Sequence, residues 1–306
     1  MTPSAAACPP QWDRQSLERS RTEAIEVFIE ERAAEGGERY RTVLAERIEV
    51  VTRLFAATDD LRDLGSGNAL SDQAGLIEAA RYLGGPPVSA DDLDTLAETS
   101  IATRRGLPPD LARKAASVIS TGLDQDRFPW LFAVPQRAPT APERYTAIRW
   151  TAGLMAVQRV QTERRNTSAV RQQAKVRGVL RDAGFVEVRN RKINVVGDLA
   201  RGEYCVGEVI VADTKYDVPV GLHNGRLLLI ECKVSNSGTN SVKRLNREVG
   251  GKAGHWREAF GQQACPAAVL SGVFKLKNLE DAQDGGVAIL WEHDLSSLAS
   301  FLRLAV

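Results

Sequence analysis

The chain has 306 residues, enough for one large domain or two ordinary ones. Its 43% hydrophobic and 26% charged residues exclude a disordered chain, and a formal net charge of +1 means that any nucleic-acid partner must be held by local basic patches. Three histidines (His223, His255, His293) and four cysteines without a C-x-x-C pair (Cys8, Cys205, Cys232, Cys265) argue against an all-protein zinc site and a disulfide framework, and fit a reducing cytosol.

Met1-Thr2-Pro3-Ser4 lacks a secretory pattern, and no apolar run approaches a membrane span, so a soluble cytoplasmic protein is expected. From Leu17 to Leu54 few breakers occur, and Ile25, Phe28, Ile29, Leu44, Ile48, Val51 and Leu54 fall at helical spacing, with Glu35-Gly36-Gly37 as an interruption. Pro86-Pro87 and Pro108-Pro109 punctuate further helices, with Ser89 a cap before Asp91-Asp92. Pro129, Pro135, Pro139 and Pro142 mark a loop-rich stretch and a soft boundary. The expectation is an N-terminal helical region over 1–140 and a separate core over 141–306. A long helix or helix pair should cover Glu143 to Ala183, closed by Gly184. Strand-like runs follow at Phe185–Val188, Val206–Ala212, Asp217–Leu222 and Leu227–Lys233. A helical stretch from about Asn240 to Phe260 precedes strands at Ala267–Val273 and Val287–Trp291. Helices are expected at Leu276–Ala282 and Leu295–Leu304. This order predicts a mixed α/β core behind a helical region.

The chemistry concentrates where the apolar run Leu227–Ile230 ends in Glu231-Cys232-Lys233. Glu231 and Lys233 share one face of that strand, and charges placed there carry a desolvation cost unless partnered. Asp217 lies on the preceding strand, joined through the turn signal His223-Asn224-Gly225. A two-residue loop would pair Asp217 with Cys232 and turn it away from Glu231. A three-residue loop, with Gly225 left-handed, pairs Leu222 with Arg226 and Asp217 with Glu231, and that register is expected. Pro219 cannot donate to a ladder, so its missing donor must fall at a bulge or an unpaired position. Two carboxylates and a lysine on one face suit phosphodiester hydrolysis with Mg²⁺.

The pattern Asp217-(x)13-Glu231-Cys232-Lys233 resembles the PD-(D/E)xK nuclease signature, although Tyr216 stands where that signature has proline. With Ile230–Ser237, then Asn240-Ser241-Val242-Lys243-Arg244-Leu245-Asn246, and with Trp291-Glu292-His293-Asp294-Leu295, the stretch from Gly202 to Leu302 resembles the XamI family of type II restriction endonucleases. The resemblance implies a mixed-sheet, restriction-endonuclease-like α/β core and a Mg²⁺-dependent cut within a short double-stranded DNA sequence that leaves 5′-phosphate ends. It also implies a homodimer, a separate cognate DNA methyltransferase and a bacterial or archaeal cytoplasm. Asp217 and Glu231 would then bind Mg²⁺ and Lys233 would assist the water. Apart from the resemblance, dimerisation, DNA clamping and target reading are all open roles for the N-terminal helical region.

Other readings stay open. Asp213-Thr214-Lys215 repeats the D/E-x-K spacing, with Asp198 or Glu203 as its earlier acid. Glu231 and Lys233 would form an ion pair if their strand were an edge. Glu163, in line with Val170 and Ala174 on one helix, is a candidate further catalytic acid or an ion-pair partner of Arg159, Arg164 or Arg165. Residues 159–181 carry seven Arg or Lys against one acid, and 234–257 carry five against one. In that second patch Asn236, Asn240, Ser241, Lys243, Arg244, Asn246, Arg247 and Lys252 are candidate DNA contacts, with the asparagines or Arg244 reading base edges. His255-Trp256 belongs with the core, since Trp256, Ala259 and Phe260 fall at helical spacing. A repair or structure-specific nuclease on the same core, and a non-catalytic DNA-binding module, are the alternative functions.

Overall fold

The computed structural model describes residues 8–304 except Pro10, 35–36, 73–74, 102–105, Glu208, 243–244 and 246–248; for residues 72, 240 and 242 it describes the main chain alone. The chain forms two compact units, one of residues 35–163 and one of residues 1–34 with 164–306.

The first unit is helical: α2 (Glu38–Ala57), α3 (Asn68–Asp72), α4 (Leu76–Arg81), α5 (Ala90–Leu96), α6 (Pro109–Thr121), α7 (Pro129–Phe132) and the start of α8 (Ala141–Asp182). Local signals set the ends. The Ser89 side chain accepts the Asp92 N–H at the start of α5, as its position before Asp91-Asp92 implies. Pro109 opens α6, where its missing N–H costs nothing. The core is one cluster in which Phe55, Phe128 and Trp130 meet edge-on or tilted, with centroids 5.6 to 6.3 Å apart. Buried Arg127 ties the chain beneath it together, donating to the carbonyls of Tyr82, Leu83 and Gly84 and to Thr151 Oγ1.

The second unit is a six-stranded sheet in the order β1-β2-β5-β6-β7-β8, with a two-stranded β3-β4 ribbon beside it. The strands are β1 (Val186–Glu187), β2 (Glu203–Tyr204), β3 (Val209–Val211), β4 (Thr214–Tyr216), β5 (Val218–Gly221), β6 (Leu227–Ser235), β7 (Ala264–Gly272) and β8 (Ala288–Trp291). β5 and β6 are antiparallel, whereas β6, β7 and β8 run parallel. Parallel strands need crossovers. α9 (Gly238–Val242) and α10 (Gly251–Phe260) supply the first, and α11 (Leu276–Asp284) the second; α12 (Ser296–Leu304) closes the chain. One face of the sheet packs Leu229, Leu270 and Trp291 with Leu17 and Ala24 of α1 (Arg14–Ala34), Trp256 of α10 and Leu279 of α11. The other packs Leu228, Ile230, Val269 and Leu290 with Val176 and Leu180 of α8 and Phe301 of α12. Cover on both faces explains why Leu227–Ile230 is apolar without alternation.

Two expectations are corrected. A boundary near residue 140 does not match the compact units: α1 belongs with the sheet because it buries Leu17 and Ala24 there, and the division falls inside α8. Cys8 and Cys265 form a disulfide with Cα atoms 5.4 Å apart, against the expectation of no disulfide framework. Their separation of 257 residues left no spacing signal. Among the described residues no helix is long and apolar enough to cross a membrane.

Candidate active site

The β5–β6 connection is the three-residue loop His223-Asn224-Gly225. Gly225 has φ +84°, and its N–H donates to Leu222 O at 2.9 Å. The Leu222 N–H donates to Arg226 O at 2.8 Å, and Asn224 Oδ1 accepts the Arg226 N–H at 3.1 Å. From this closure Val218 pairs with Ile230 and Pro219 with Leu229, so Asp217 falls opposite Glu231, one step past the end of the ladder. Cys205 donates its N–H to Pro219 O at 3.1 Å, while β2 ends at Tyr204. The donor that Pro219 lacks therefore falls just beyond the neighbouring strand, where it is least costly.

Asp217 is anchored by main chain. Its Oδ2 accepts the Cys232 N–H at 2.8 Å, and its carbonyl accepts the Gly207 N–H at 3.0 Å. Gln173 Nε2 of α8 donates to Asp217 Oδ1 at 3.5 Å.

Glu231 is 1% exposed, and both of its carboxylate oxygens face ammonium groups. Lys233 Nζ is 2.7 Å from Oε2. Lys252 Nζ, from the first turn of α10, donates to Oε1 and also to the main-chain carbonyl of Lys215, at 2.6 Å. Burial pushes the Glu231 carboxyl above its ordinary value; Lys233 opposes this, and the charge of Asp217 adds to it. Tyr216 packs on Trp256 with centroids 4.0 Å apart and carries the Lys252 ammonium 5.3 Å from its ring centroid. Among the described residues its hydroxyl is buried without a hydrogen-bond partner, and burial with the charges of Glu231 and Asp217 raises its pKa.

β6 pairs with β7 along its whole length and with β5 as far as Ile230, so it is an inner strand of the sheet, and Glu231 and Lys233 stand where the β5 ladder ends rather than on an edge strand. The Asp213-Thr214-Lys215 alternative is also corrected. Ala212 and Asp213, with φ of +43° and +64°, form the tip of the β3–β4 hairpin. Asp213 is exposed there and pairs with Lys192 at 2.9 Å. The earlier acids of that alternative are engaged elsewhere: Asp198 accepts the N–H groups of Asn194 and Val195, and Glu203 pairs with Arg191.

Glu163 lies in the helical unit. Its carboxylate is taken by Arg39, at 2.8 and 2.9 Å, and by Arg159 at 2.7 Å, which is the ion-pair reading rather than that of a further acid.

Among the candidate DNA contacts, Ser241 is fully buried. Its hydroxyl donates to Gly238 O and accepts from Asn278 Nδ2, so it braces α9 against α11 and offers nothing to a groove. Lys252 points at Glu231 rather than outward. Asn236 is exposed and accepts from Arg32 at 3.4 Å. Asn240 lies in α9, its side chain outside the description, and Lys243, Arg244, Asn246 and Arg247 lie outside the described residues. His255 Nε2 is 2.6 Å from Ala212 O, and Trp256 is core, as its spacing implies.

Three features were not read from the sequence. One is Lys252 as a member of the carboxylate cluster. Another is Gln173, signalled by nothing beyond its place on a helix leading into the sheet. The third is the group around Glu292, which is 4% exposed just past β8 and pairs with Arg171 at 2.6 Å and Lys175 at 3.2 Å. Burial would raise the Glu292 carboxyl, but hydrogen bonds from Arg171 and Ser271 and the two cationic charges outweigh it and hold it below its ordinary value.

The profile of a family described as XamI restriction endonuclease matches residues 59–291. Type II restriction enzyme XamI of Xanthomonas campestris pv. amaranthicola is 40% identical over 199 residues, covering 64% of this chain and 72% of that enzyme. Among solved structures, protein VC1899 from Vibrio cholerae aligns with 84% of this chain and 57% of its own, at a TM-score of 0.30 and 12% identity, too low to carry a fold assignment. A match over most of the chain, around a strand pair that presents an aspartate, a glutamate and a lysine together, places this protein in the XamI family of type II restriction endonucleases.

Proposed function

We propose that the protein hydrolyses DNA phosphodiester bonds in a Mg²⁺-dependent reaction, within a short double-stranded sequence, leaving 5′-phosphate ends. Asp217, Glu231 and Lys233 are its catalytic residues, and β5 to β8 with α8 and α10 form a core of PD-(D/E)xK type. The observation that carries this reading is the register of β5 and β6, which sets Asp217 opposite Glu231 with Lys233 two residues further on the same face.

The donor set suits the ion. Among the described residues no group of three or more His, Cys, Asp or Glu side chains could hold a metal. Mg²⁺ does not need one, because it takes one or two carboxylates and keeps its other positions for water and phosphate oxygen. A buried carboxylate that draws two ammonium groups marks a place that requires positive charge, and the unpartnered Tyr216 hydroxyl beside it calls for a further polar group. Asp217 and Glu231 would hold the ion, which when bound makes phosphorus more electrophilic and acidifies a water.

The protein's own groups do the positioning. The Cys232 N–H fixes the Asp217 carboxylate. Lys233, held at 2.7 Å by Glu231, keeps a proton donor beside the reacting phosphate and offsets charge that develops on it. Basic side chains around 234–257 would hold the backbone of the DNA, and a homodimer acting on a palindrome, with a separate methyltransferase protecting host DNA, completes the proposal. The test is digestion of a plasmid of known sequence with Mg²⁺ and with EDTA, with the ends mapped, alongside Glu231→Gln and Lys233→Ala. Discrete fragments that require Mg²⁺ and vanish in both variants support it. Cutting in EDTA, or an active Lys233→Ala enzyme, rejects the mechanism, and cutting only at junctions or flaps replaces restriction with structure-specific cleavage.

A further inference from the structure

We propose that Lys252 is the site's own substitute cation: its ammonium and a divalent metal ion occupy Glu231 Oε1 by turns. The proposal rests on the metal-binding reading of Asp217 and Glu231.

Two oxygens converge on Lys252 Nζ, one from the Glu231 carboxylate and one from the main-chain carbonyl of Lys215. A carboxylate and a carbonyl oxygen are the donors that a hard divalent cation takes. The ammonium thus sits where such an ion finds ligands. Glu231 is 1% exposed, and a bare carboxylate at that depth would carry a large desolvation cost. Some positive charge must stand beside it whether or not metal is bound.

The two lysines at Glu231 are not equivalent. Lys233 is on the same strand and face as Glu231, and its side chain is 15% exposed. It contacts Oε2 and stays there however the other oxygen is engaged. Lys252 comes from another element, directly after Gly250-Gly251, and its side chain is 25% exposed on a flexible four-carbon stem. It can withdraw toward solvent without moving β6. A divalent ion and an ammonium on one carboxylate oxygen repel each other in a low-dielectric site, so binding of the ion disfavours the Lys252 contact. Metal entry therefore releases Lys252, and the freed ammonium remains tethered beside the site where a phosphate would bind.

The test uses the full-length wild-type protein, Mn²⁺ as probe and no DNA. Lysines are acylated with an amine-reactive ester and read by peptide mass spectrometry, while Mn²⁺ binding is followed by electron paramagnetic resonance. Saturating Mn²⁺ is expected to raise labelling of Lys252 several-fold, with little change at Lys192, which pairs with Asp213 at the tip of the β3–β4 hairpin. Lys252→Met is expected to bind Mn²⁺ about tenfold more tightly than wild type, the scale of coupling between ligands that compete for one position. Unchanged or reduced Lys252 labelling at saturation, or equal or weaker Mn²⁺ binding by Lys252→Met, overturns the exchange. If wild type binds Mn²⁺, Glu231→Gln does not, and Lys252 labelling stays flat, the exchange falls and the metal site stands. If wild type does not bind Mn²⁺, or Glu231→Gln binds it equally well, the metal reading falls and takes the exchange with it.

Discussion

The Asp217 carboxylate accepts the main-chain N–H of Cys232 at 2.8 Å, so the aspartate is fixed by the backbone of the strand that carries Glu231 and Lys233. One side chain thereby has two separable functions: an acceptor that ends the β5–β6 pairing, and a negative charge beside Glu231. Asp217→Asn keeps an acceptor oxygen and removes the charge; Asp217→Ala removes both. Asp217→Asn should stay near wild-type stability while cleavage falls by about 10²–10³. Asp217→Ala should lose the activity and also about 1 kcal/mol, the net worth of a hydrogen bond. Thermal melts beside plasmid-cleavage rates check both. An Asp217→Asn enzyme cutting within tenfold of wild type would leave the charge without a role.

The register depends on Gly225. At φ +84° a β-branched side chain is strained, and a Cβ there would sit 3.1 Å from the Arg201 guanidinium. Gly225→Val should destabilise by about 1–2 kcal/mol in urea unfolding. Deletion of Asn224 leaves His223-Gly225 as a two-residue loop with Leu222 still opposite Arg226, so Asp217 stays opposite Glu231. The deleted protein should then keep both its fold by circular dichroism and its cleavage. Lost cleavage in a folded deletion protein would show that the shorter turn slips the register and turns Asp217 away from Glu231.

The start of α8 offers a pH test away from the site. Thr140 donates its N–H to Glu143 Oε2 at 2.7 Å, and Arg137 reaches the same carboxylate at 2.5 Å. The Arg137 hydrogen bond, with those from Thr140, lowers the Glu143 carboxyl from 4.5 to about 2. A carboxyl lowered on folding stabilises above its unfolded value and loses that contribution as pH falls through its folded one. Glu143→Gln should therefore lower the thermal midpoint slightly at pH 7, and the gap to wild type should close between pH 4.5 and about 2. A gap independent of pH would show that Glu143 acts through packing alone.

What the sequence disclosed follows what is local. The long α8 ends at Asp182 and the chain turns away through Gly184 in the left-handed region, as that glycine suggests, and Gly225 marks the turn that aligns Asp217 with Glu231. The β3–β4 hairpin turns through Ala212 and Asp213, both at positive φ without a glycine, so no turn signal separated Asp213 from a strand. Lys252 read as one cation in a basic stretch, because nothing in its neighbours shows that it folds back over 21 positions to Glu231. Ser241 stood among polar residues, yet its burial depends on α11, 37 positions away at Asn278. Signals carried by adjacent residues were legible; those that need the crossover to be closed were not.

Arg171 and Glu292 provide the most direct test of electrostatics around the sheet. Arg171 Nε donates to Glu292 Oε1 at 2.6 Å and Arg171 also holds Glu31 at 2.8 Å, while the Glu292 side chain is buried. In wild type the net effect lowers the Glu292 carboxyl below 4.5, so it stabilises above that pH and loses the contribution as pH falls. Arg171→Ala removes the group that most opposes burial, although Lys175 remains at 3.2 Å. Desolvation then dominates and the carboxyl should rise above its ordinary value. The sign reverses: the variant is penalised while Glu292 is ionised, and the penalty shrinks as it protonates. Arg171→Ala should therefore cost on the order of 1–3 kcal/mol at pH 7 and less near pH 4. Glu292→Gln in the same background should restore part of the loss at pH 7, because a neutral amide leaves no buried charge behind. Urea unfolding of the single and double variants at both pH values decides it. A penalty that grows toward acid, or a double variant less stable than Arg171→Ala, would show that Arg171 stabilises the fold by contacts other than its charge on Glu292.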